Sequence, residues 1–160
     1  MIIRSAKMSD LEELTLLEEL CFPPEEAATR ESIRQRLQTL TESFFVAEIE
    51  HKIIGLINGS VTNSTVIFDE MFKDANYHIS DGNYQAIFGL DVHPGYRRKG
   101  IAAKLMVHMI AVAKAAGRKG VILTCKDKLV KYYESFGFIN KGISESTHGN
   151  AVWYDMVLEF

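Results

Sequence analysis

The spacing of apolar residues along the chain predicts alternating strands and helices. Ile2, Ile3 and Ala6 open a short strand-like run. Ser9 and Asp10 then offer an N-cap, Glu12 and Glu13 suit a first helical turn, and Leu11, Leu14, Leu17 and Leu20 recur at helical spacing. An amphipathic helix is predicted to about Cys21, stopped by Pro23 and Pro24. EEAATRESIRQRLQTL restarts a helix with Ile33, Leu37 and Leu40 on one face. SFFVAEIE and KIIGLINGSVTN read as a hairpin around a polar turn at Glu50, His51 and Lys52.

The stretch 64–83 breaks the rhythm. IFDEMFKD suits a short helix and NYHISDGN a series of turns. YQAIFGLDV is then a long apolar run read as one strand, and HPGYRRKG leads from it into IAAKLMVHMIAVAKAAG. There Ile101, Leu105, Met109 and Val112 form a helical stripe, and Gly117 suits a C-cap. GVILTC reads as a buried strand, DKLVKYYESFGF as a short helix ending near Gly137, and FINKGIS and AVWYDMVLEF as a closing hairpin around THGN. Helices interleaved with strands, plus a terminal hairpin, predict an α/β (α+β) fold with a mixed sheet and helices on both faces.

Composition narrows the class of protein. One domain over residues 1–160 is expected from the length, able to bury about 68–70% of its unfolded surface without disulfides or metal. The apolar share of 47% and charged share of 24% argue against disorder. A net charge of −3 gives no general attraction to nucleic acid or anionic membrane. Cys21 and Cys125 lie far apart and form no CxxC pair, so reduced thiols are expected. The opening MIIRSAKMSDLEEL has no signal-peptide core, and a cytoplasmic location is expected. No pair among the histidines and cysteines has metal-ligand spacing, so no metal is expected.

The chemistry concentrates in LDVHPGYRRKGIAAKLM. A buried strand enters a basic, glycine-containing loop that opens a long helix. The first helical turn offers unpaired N–H groups and the positive end of the helix dipole, which suit an anion. Arg97, Arg98 and Lys99 add charge, and Gly100 lets the backbone approach a ligand. A phosphate or pyrophosphate is the natural guest. Gly95 and Gly100 have the Walker A gap, but Ile101 and Ala102 stand where Lys and Ser/Thr would be needed, so a nucleoside triphosphate is disfavoured.

Arg97-Arg98-Lys99-Gly100-Ile101-Ala102 resembles the (Q/R)xxGx(G/A) motif of the GNAT acetyltransferases, and Leu90-Asp91-Val92-His93-Pro94 resembles the strand before it. The resemblance spans essentially the whole chain. It implies the GNAT fold, with a mixed, mostly antiparallel sheet of about six or seven strands flanked by about four helices. It implies acetyl-CoA as cosubstrate, its pyrophosphate on the loop from Arg97 to Ala102 and its pantetheine arm along Leu90, Asp91, Val92 and Thr124. CKDKLVKYYESFGF is similar to the segment closing the fold in the arylalkylamine (serotonin) N-acetyltransferase branch, which makes Tyr133 the implied general acid. That branch carries two histidines where this chain has Ala86 and Phe88, so its histidine relay is absent.

The base stays open among His78, Glu25, Glu26, Glu48, Asp91 and solvent water; Asp91, lying between cofactor-strand positions, is expected to point away from the acyl group. His93 and His108 read as structural, and Cys125 as an inert buried thiol. Phe22, Phe68, Phe72, Tyr77, Phe88 and Trp153, with Glu25, Glu26, Asp69 and Glu70, would wall the acceptor site in that fold. A small amine acceptor is expected. A protein N-terminal or lysine acetyltransferase and a non-catalytic CoA-binding sensor are the alternatives. Two copies pairing through AVWYDMVLEF as an edge strand is a further expectation.

Overall fold

A computed structural model describes residues 1–160. In chain order the elements are β1 (Ile2–Ser5), α1 (Leu11–Cys21), α2 (Arg30–Thr39), β2 (Phe44–Ile49), β3 (Lys52–Asn58), β4 (Val61–Thr62), α3 (Asp69–Lys73), β5 (Tyr84–Ile87), β6 (Gly89–Val92), α4 (Ile101–Ala115), β7 (Gly120–Cys125), α5 (Val130–Glu134), β8 (Ile139–Ile143) and β9 (Tyr154–Glu159). One sheet has the order β1-β2-β3-β6 and is antiparallel throughout. The other has the order β4-β5-β7-β9-β8, with a parallel pair only at β5–β7. The mixed α/β class stands, with nine strands in two sheets and five α-helices. The additional strands come from the two-residue β4 and from a split in the central run.

Local chemistry explains the boundaries. Asp10 does not cap α1 through its side chain; its carboxylate instead accepts from Lys7 N–H at 2.9 Å and pairs with Arg4, closing a 3-10 turn ahead of the helix. α2 begins later than the apolar spacing suggests, because Thr29 is its N-cap and accepts from Ser32 N–H at 3.1 Å. Glu50 and His51 both have positive φ, 49° and 63°, as a two-residue hairpin turn between β2 and β3 requires. After β3 the chain crosses from the first sheet to the second at Gly59. A Cβ there would lie 1.7 Å from the Ala86 carbonyl oxygen, so only glycine fits.

The run YQAIFGLDV is not one strand. It breaks at Phe88: β5 joins the second sheet beside β7, and β6 closes the first beside β3. β5 and β7 pair as far as Ile87 and Leu123. Beyond that point β6 follows β3, β7 follows β9, and the two sheets part. AVWYDMVLEF is also corrected. Its strand begins at Tyr154 and runs inside the sheet, paired with β7 on one side and β8 on the other, so it offers no free edge for a second copy.

The helices cover both faces. α4 lies over a core containing Ile54, Ile57, Val92, Leu105, Met106 and Met109, and Tyr133 belongs to that cluster. α1 and α2 pack Leu14, Leu17, Ile33 and Leu37 against Phe44, Val46 and Leu56 on the opposite face. α3 brings Met71 to Ala86, Ile122 and Val157. No helix is long and apolar enough to cross a membrane.

Candidate active site

The basic loop starts at His93, whose Nδ1 accepts from Gly95 N–H at 3.0 Å and fixes the exit from β6. Arg98 and Gly100 both have positive φ, 63° and 78°, and Gly100 is the N-cap of α4. No side chain caps this helix, and its first turn holds no acidic residue. The turn therefore keeps its N–H groups and positive dipole end available to an external anion. Arg97 is used differently from the expectation: its Nε donates to the Val92 carbonyl at 3.1 Å and ties the loop to the strand. Lys99 turns onto the Tyr96 ring, 5.7 Å from its centroid.

β6 is an edge strand. His93 N–H donates to Ile54 O at 2.8 Å, and Asp91 sits opposite Leu56. Alternation then directs the main-chain groups of Leu90 and Val92 away from β3, toward the parted sheets. The Val92 carbonyl is occupied by Arg97 and by the Cys21 thiol, whose Sγ donates at 3.4 Å.

A cavity of about 1350 Å³ fills the opening. It runs from Arg97, Arg98, Gly100, Ile101 and Ala102 along Leu90, Asp91 and Val92 to Thr124 and Tyr133. Lys99 is the one residue of the expected set outside its lining. Tyr133 is buried, edge-on to Tyr132 at 5.3 Å and to Phe138 at 6.1 Å. Burial, with Cys125, Tyr132 and Asp91 nearby, pushes its hydroxyl pKa well above that of an ordinary tyrosine. Cys125 is buried and its thiol is pushed up to about 11, mainly by burial, which keeps it protonated.

The far end of the cavity holds charge that periodicity did not reveal. Asp91, expected to point away, lines the cavity on the face covered by α1 and α2. It is 1% exposed, and neither carboxyl oxygen accepts a hydrogen bond from a protein donor. Burial first, and then the Glu18 carboxyl within hydrogen-bonding reach, lift its pKa well above the usual carboxylate range. Glu18 also accepts from Ala28 N–H at 2.8 Å. Arg36 is buried beside them, donating to Asn58 Oδ1 at 3.2 Å and to the Phe72 carbonyl at 2.9 Å, with its guanidinium over the Phe88 ring. A signal for both existed: Glu18 continues the Leu11, Leu14 stripe, and Arg36 sits among Ile33, Leu37 and Leu40.

The other base candidates separate cleanly. His78 is remote from the cavity; its Nδ1 accepts from Val61 N–H at 2.9 Å, which leaves Nε2–H for Glu42. Glu48 is held by Arg4 at 2.6 Å. Glu25 and Glu26 line the cavity, but Glu26 pairs with Lys126 at 2.8 Å. Phe22, Phe72, Phe88 and Trp153 line it as well, whereas Phe68 and Tyr77 pack on each other outside it at 5.1 Å, and Glu70 lies outside too.

A strap closes this end. The Asp69 carboxylate accepts from Ser146 Oγ and Thr147 N–H, His148 stacks on Phe72 at 5.4 Å with Nε2 2.9 Å from Glu26 O, and Trp153 Nε1 donates to His148 O at 2.8 Å. The segment after α1, α3 and the loop before β9 are thus joined across the cavity.

Residues 11–138 match the family described as the acetyltransferase (GNAT) family. The fold overlays the loading GNATL domain of CurA from Lyngbya majuscula with a TM-score of 0.85 at 16% identity, covering 99% of this chain and 96% of that one. It overlays the ribosomal-protein-S18-alanine N-acetyltransferase of Escherichia coli with a TM-score of 0.75 at 17% identity, covering 99% and 92%. In sequence it is 29% identical over 134 residues to the probable hydrolase YhcX of Bacillus subtilis (strain 168), covering 77% of this chain and 25% of that protein. The chain spans about a quarter of that curated relative's length.

Proposed function

We propose that this chain, which belongs to the GNAT acetyltransferase family, moves an acetyl group from acetyl-CoA to a small primary amine by direct attack in a ternary complex. The observation that carries this reading is one cavity joining an uncapped helix N-terminus, an open strand edge and a buried tyrosine. The 160 residues are read as a single GNAT domain working in the cytoplasm.

In this reading the loop from Arg97 to Ala102 receives the CoA pyrophosphate, with Gly100 shaping the amide cradle and Arg97, Arg98 and Lys99 supplying charge. The pantetheine arm lies along the open main chain of Leu90, Asp91 and Val92 and faces Thr124. The amine, once neutral, attacks the thioester carbonyl, and the N–C bond forms as the carbonyl electrons move to oxygen. Val92 N–H is the donor on the open edge for that oxyanion. Collapse breaks the C–S bond, Tyr133 gives its proton to the sulfur, and the amide nitrogen's surplus proton restores the tyrosine. The raised pKa keeps Tyr133 protonated at neutral pH.

The aromatic lining supports an acceptor with an apolar body, of the arylalkylamine kind. The strap across the acceptor end supports a small molecule over a peptide N-terminus. A CoA sensor would have no use for Tyr133. CoA release from acetyl-CoA, followed over arylalkylamines, polyamines, amino sugars and short peptides, tests the reading. Turnover confined to small amines is expected. Turnover with peptides alone would replace the acceptor class, and CoA binding without turnover of any amine would point to the sensor.

A further inference from the structure

The mechanism above leaves one step unassigned. A primary alkylamine reaches neutral pH as an ammonium ion and must lose a proton before it can attack. The family branch that this chain resembles has histidines for that task at positions held here by Ala86 and Phe88. We propose that Asp91, backed by Glu18, is the ammonium-receiving site of this cavity, binding the acceptor's charged head and taking its proton.

The inference rests on the acetyl-transfer reading for its reaction but on independent geometry for its site. Asp91 is 1% exposed, lines the cavity, and has two carboxyl oxygens without a protein donor. A buried polar group with no partner is costly, and an N–H-bearing ligand would satisfy it. Its strand neighbours Leu90 and Val92 carry the open main-chain edge, so the carboxyl sits on the element expected to hold the thioester. A Cβ at Gly89 would lie 3.3 Å from Asp91 Oδ1; glycine leaves that side of the carboxyl uncrowded.

Every charged or titratable group facing Asp91 belongs to the same cavity: Glu18 and Cys21 from α1, Arg36 from α2 and Tyr133 from α5. Glu18 shares hydrogen-bonding reach with Asp91, and two close carboxyls do not readily ionise together. Arg36 donates to neutral acceptors, so it offsets their charge without quenching either oxygen of Asp91. The arrangement holds Asp91 as a stronger base than a free carboxylate. The proton moves from R–NH3⁺ to Asp91, giving R–NH2 and a neutral carboxyl; the carboxyl returns the proton to solvent after the amide leaves. The substrate class is therefore an amine basic enough to arrive charged. An acceptor already neutral at pH 7 gains nothing from Asp91.

The test counts protons. 2-Phenylethylammonium is titrated calorimetrically into CoA-saturated protein near neutral pH, in two buffers of different ionisation enthalpy. Binding should release about one proton per amine, because the ammonium forces the carboxyl to ionise. Asp91→Asn should abolish the release and weaken the ammonium at least about tenfold, with affinity for uncharged 2-phenylethanol unchanged; Glu18→Gln should shift the release to lower pH. In turnover, Asp91→Asn should lower kcat/KM by about 10²-fold and remove its rise with pH. Amine binding without proton release in the unaltered protein, equal affinity in Asp91→Asn, or no amine binding would each overturn the proposal. Failure of CoA to bind would fall on the acetyl-transfer reading instead, and the amine titration of the protein alone would still decide the ammonium site.

Discussion

Tyr133 is asked to release a proton from a place that makes release difficult. Its hydroxyl is held above the ordinary tyrosine range by burial and by neighbouring Cys125, Tyr132 and Asp91. Only the departing thiolate, poised beside it, makes the transfer favourable. Tyr133→Phe is expected to lower kcat about 10²-fold with little change in KM, read from steady-state CoA release. An unchanged kcat would remove Tyr133 from the chemistry. Asp10 shows the opposite electrostatic case. Burial opposes its ionisation, yet the Arg4 guanidinium and Lys7 N–H outweigh burial and hold its pKa below the usual carboxylate value. A depressed folded-state pKa adds stability above the ordinary carboxylate range, and that stability is lost as pH falls through the depressed value. Asp10→Asn should therefore cost roughly 1–2 kcal/mol near pH 7, the exposed side of Arg4 keeping it small. The thermal midpoints of the two proteins should converge in acid; a constant gap would place the cost in packing.

Among the elements, Gly59 has the narrowest tolerance. It carries the chain from β3 to β4 against the backbone of β5, where a Cβ would meet Ala86 O at 1.7 Å. Gly59→Ala should cost about 3 kcal/mol, since backbone must move to admit the methyl group, and urea unfolding would measure it. A near-neutral result would mean that the crossing can widen without loss. The crossing also marks how far local pattern reaches. α4 was legible because Ile101, Leu105 and Met109 recur on one face and Gly100 and Gly117 bracket it. β5 and β6 were read as one strand because YQAIFGLDV has no polar or turn residue at the break. Phe88 marks a competition between β3 and β7 for the same chain, which pairing partners settle and spacing does not encode. The loop from Arg97 to Ala102 was legible because its residues are contiguous. Glu18 and Arg36 were not, since single charges within apolar stripes acquire meaning only when α1 and α2 bring them to Asp91.

Across the whole molecule, the cavity is closed by pieces distant in sequence. Asp69 on α3 holds Ser146 and Thr147, and burial is outweighed by these donors, so its pKa also lies below the usual carboxylate value. Asp69→Ala should free the loop before β9. The expected result is a several-fold rise in acceptor KM, unchanged CoA affinity, and faster amide exchange over residues 144–153. Equal loss of CoA affinity would show that the loop steadies the entire site. The same sheet order that makes β9 an interior strand has a consequence for synthesis on the ribosome. The strands β1, β2, β3 and β6 all lie before residue 93, so the first sheet can assemble while the rest is still being translated. In the second sheet β7 and β8 meet only through β9. At about 5–20 residues per second, β7 waits on the order of seconds for the stretch from Tyr154 to Glu159 to emerge. Until then a nascent chain displays two unpaired, apolar strand edges, and a translational pause before Tyr154 would prolong the interval in which chaperones must shield them.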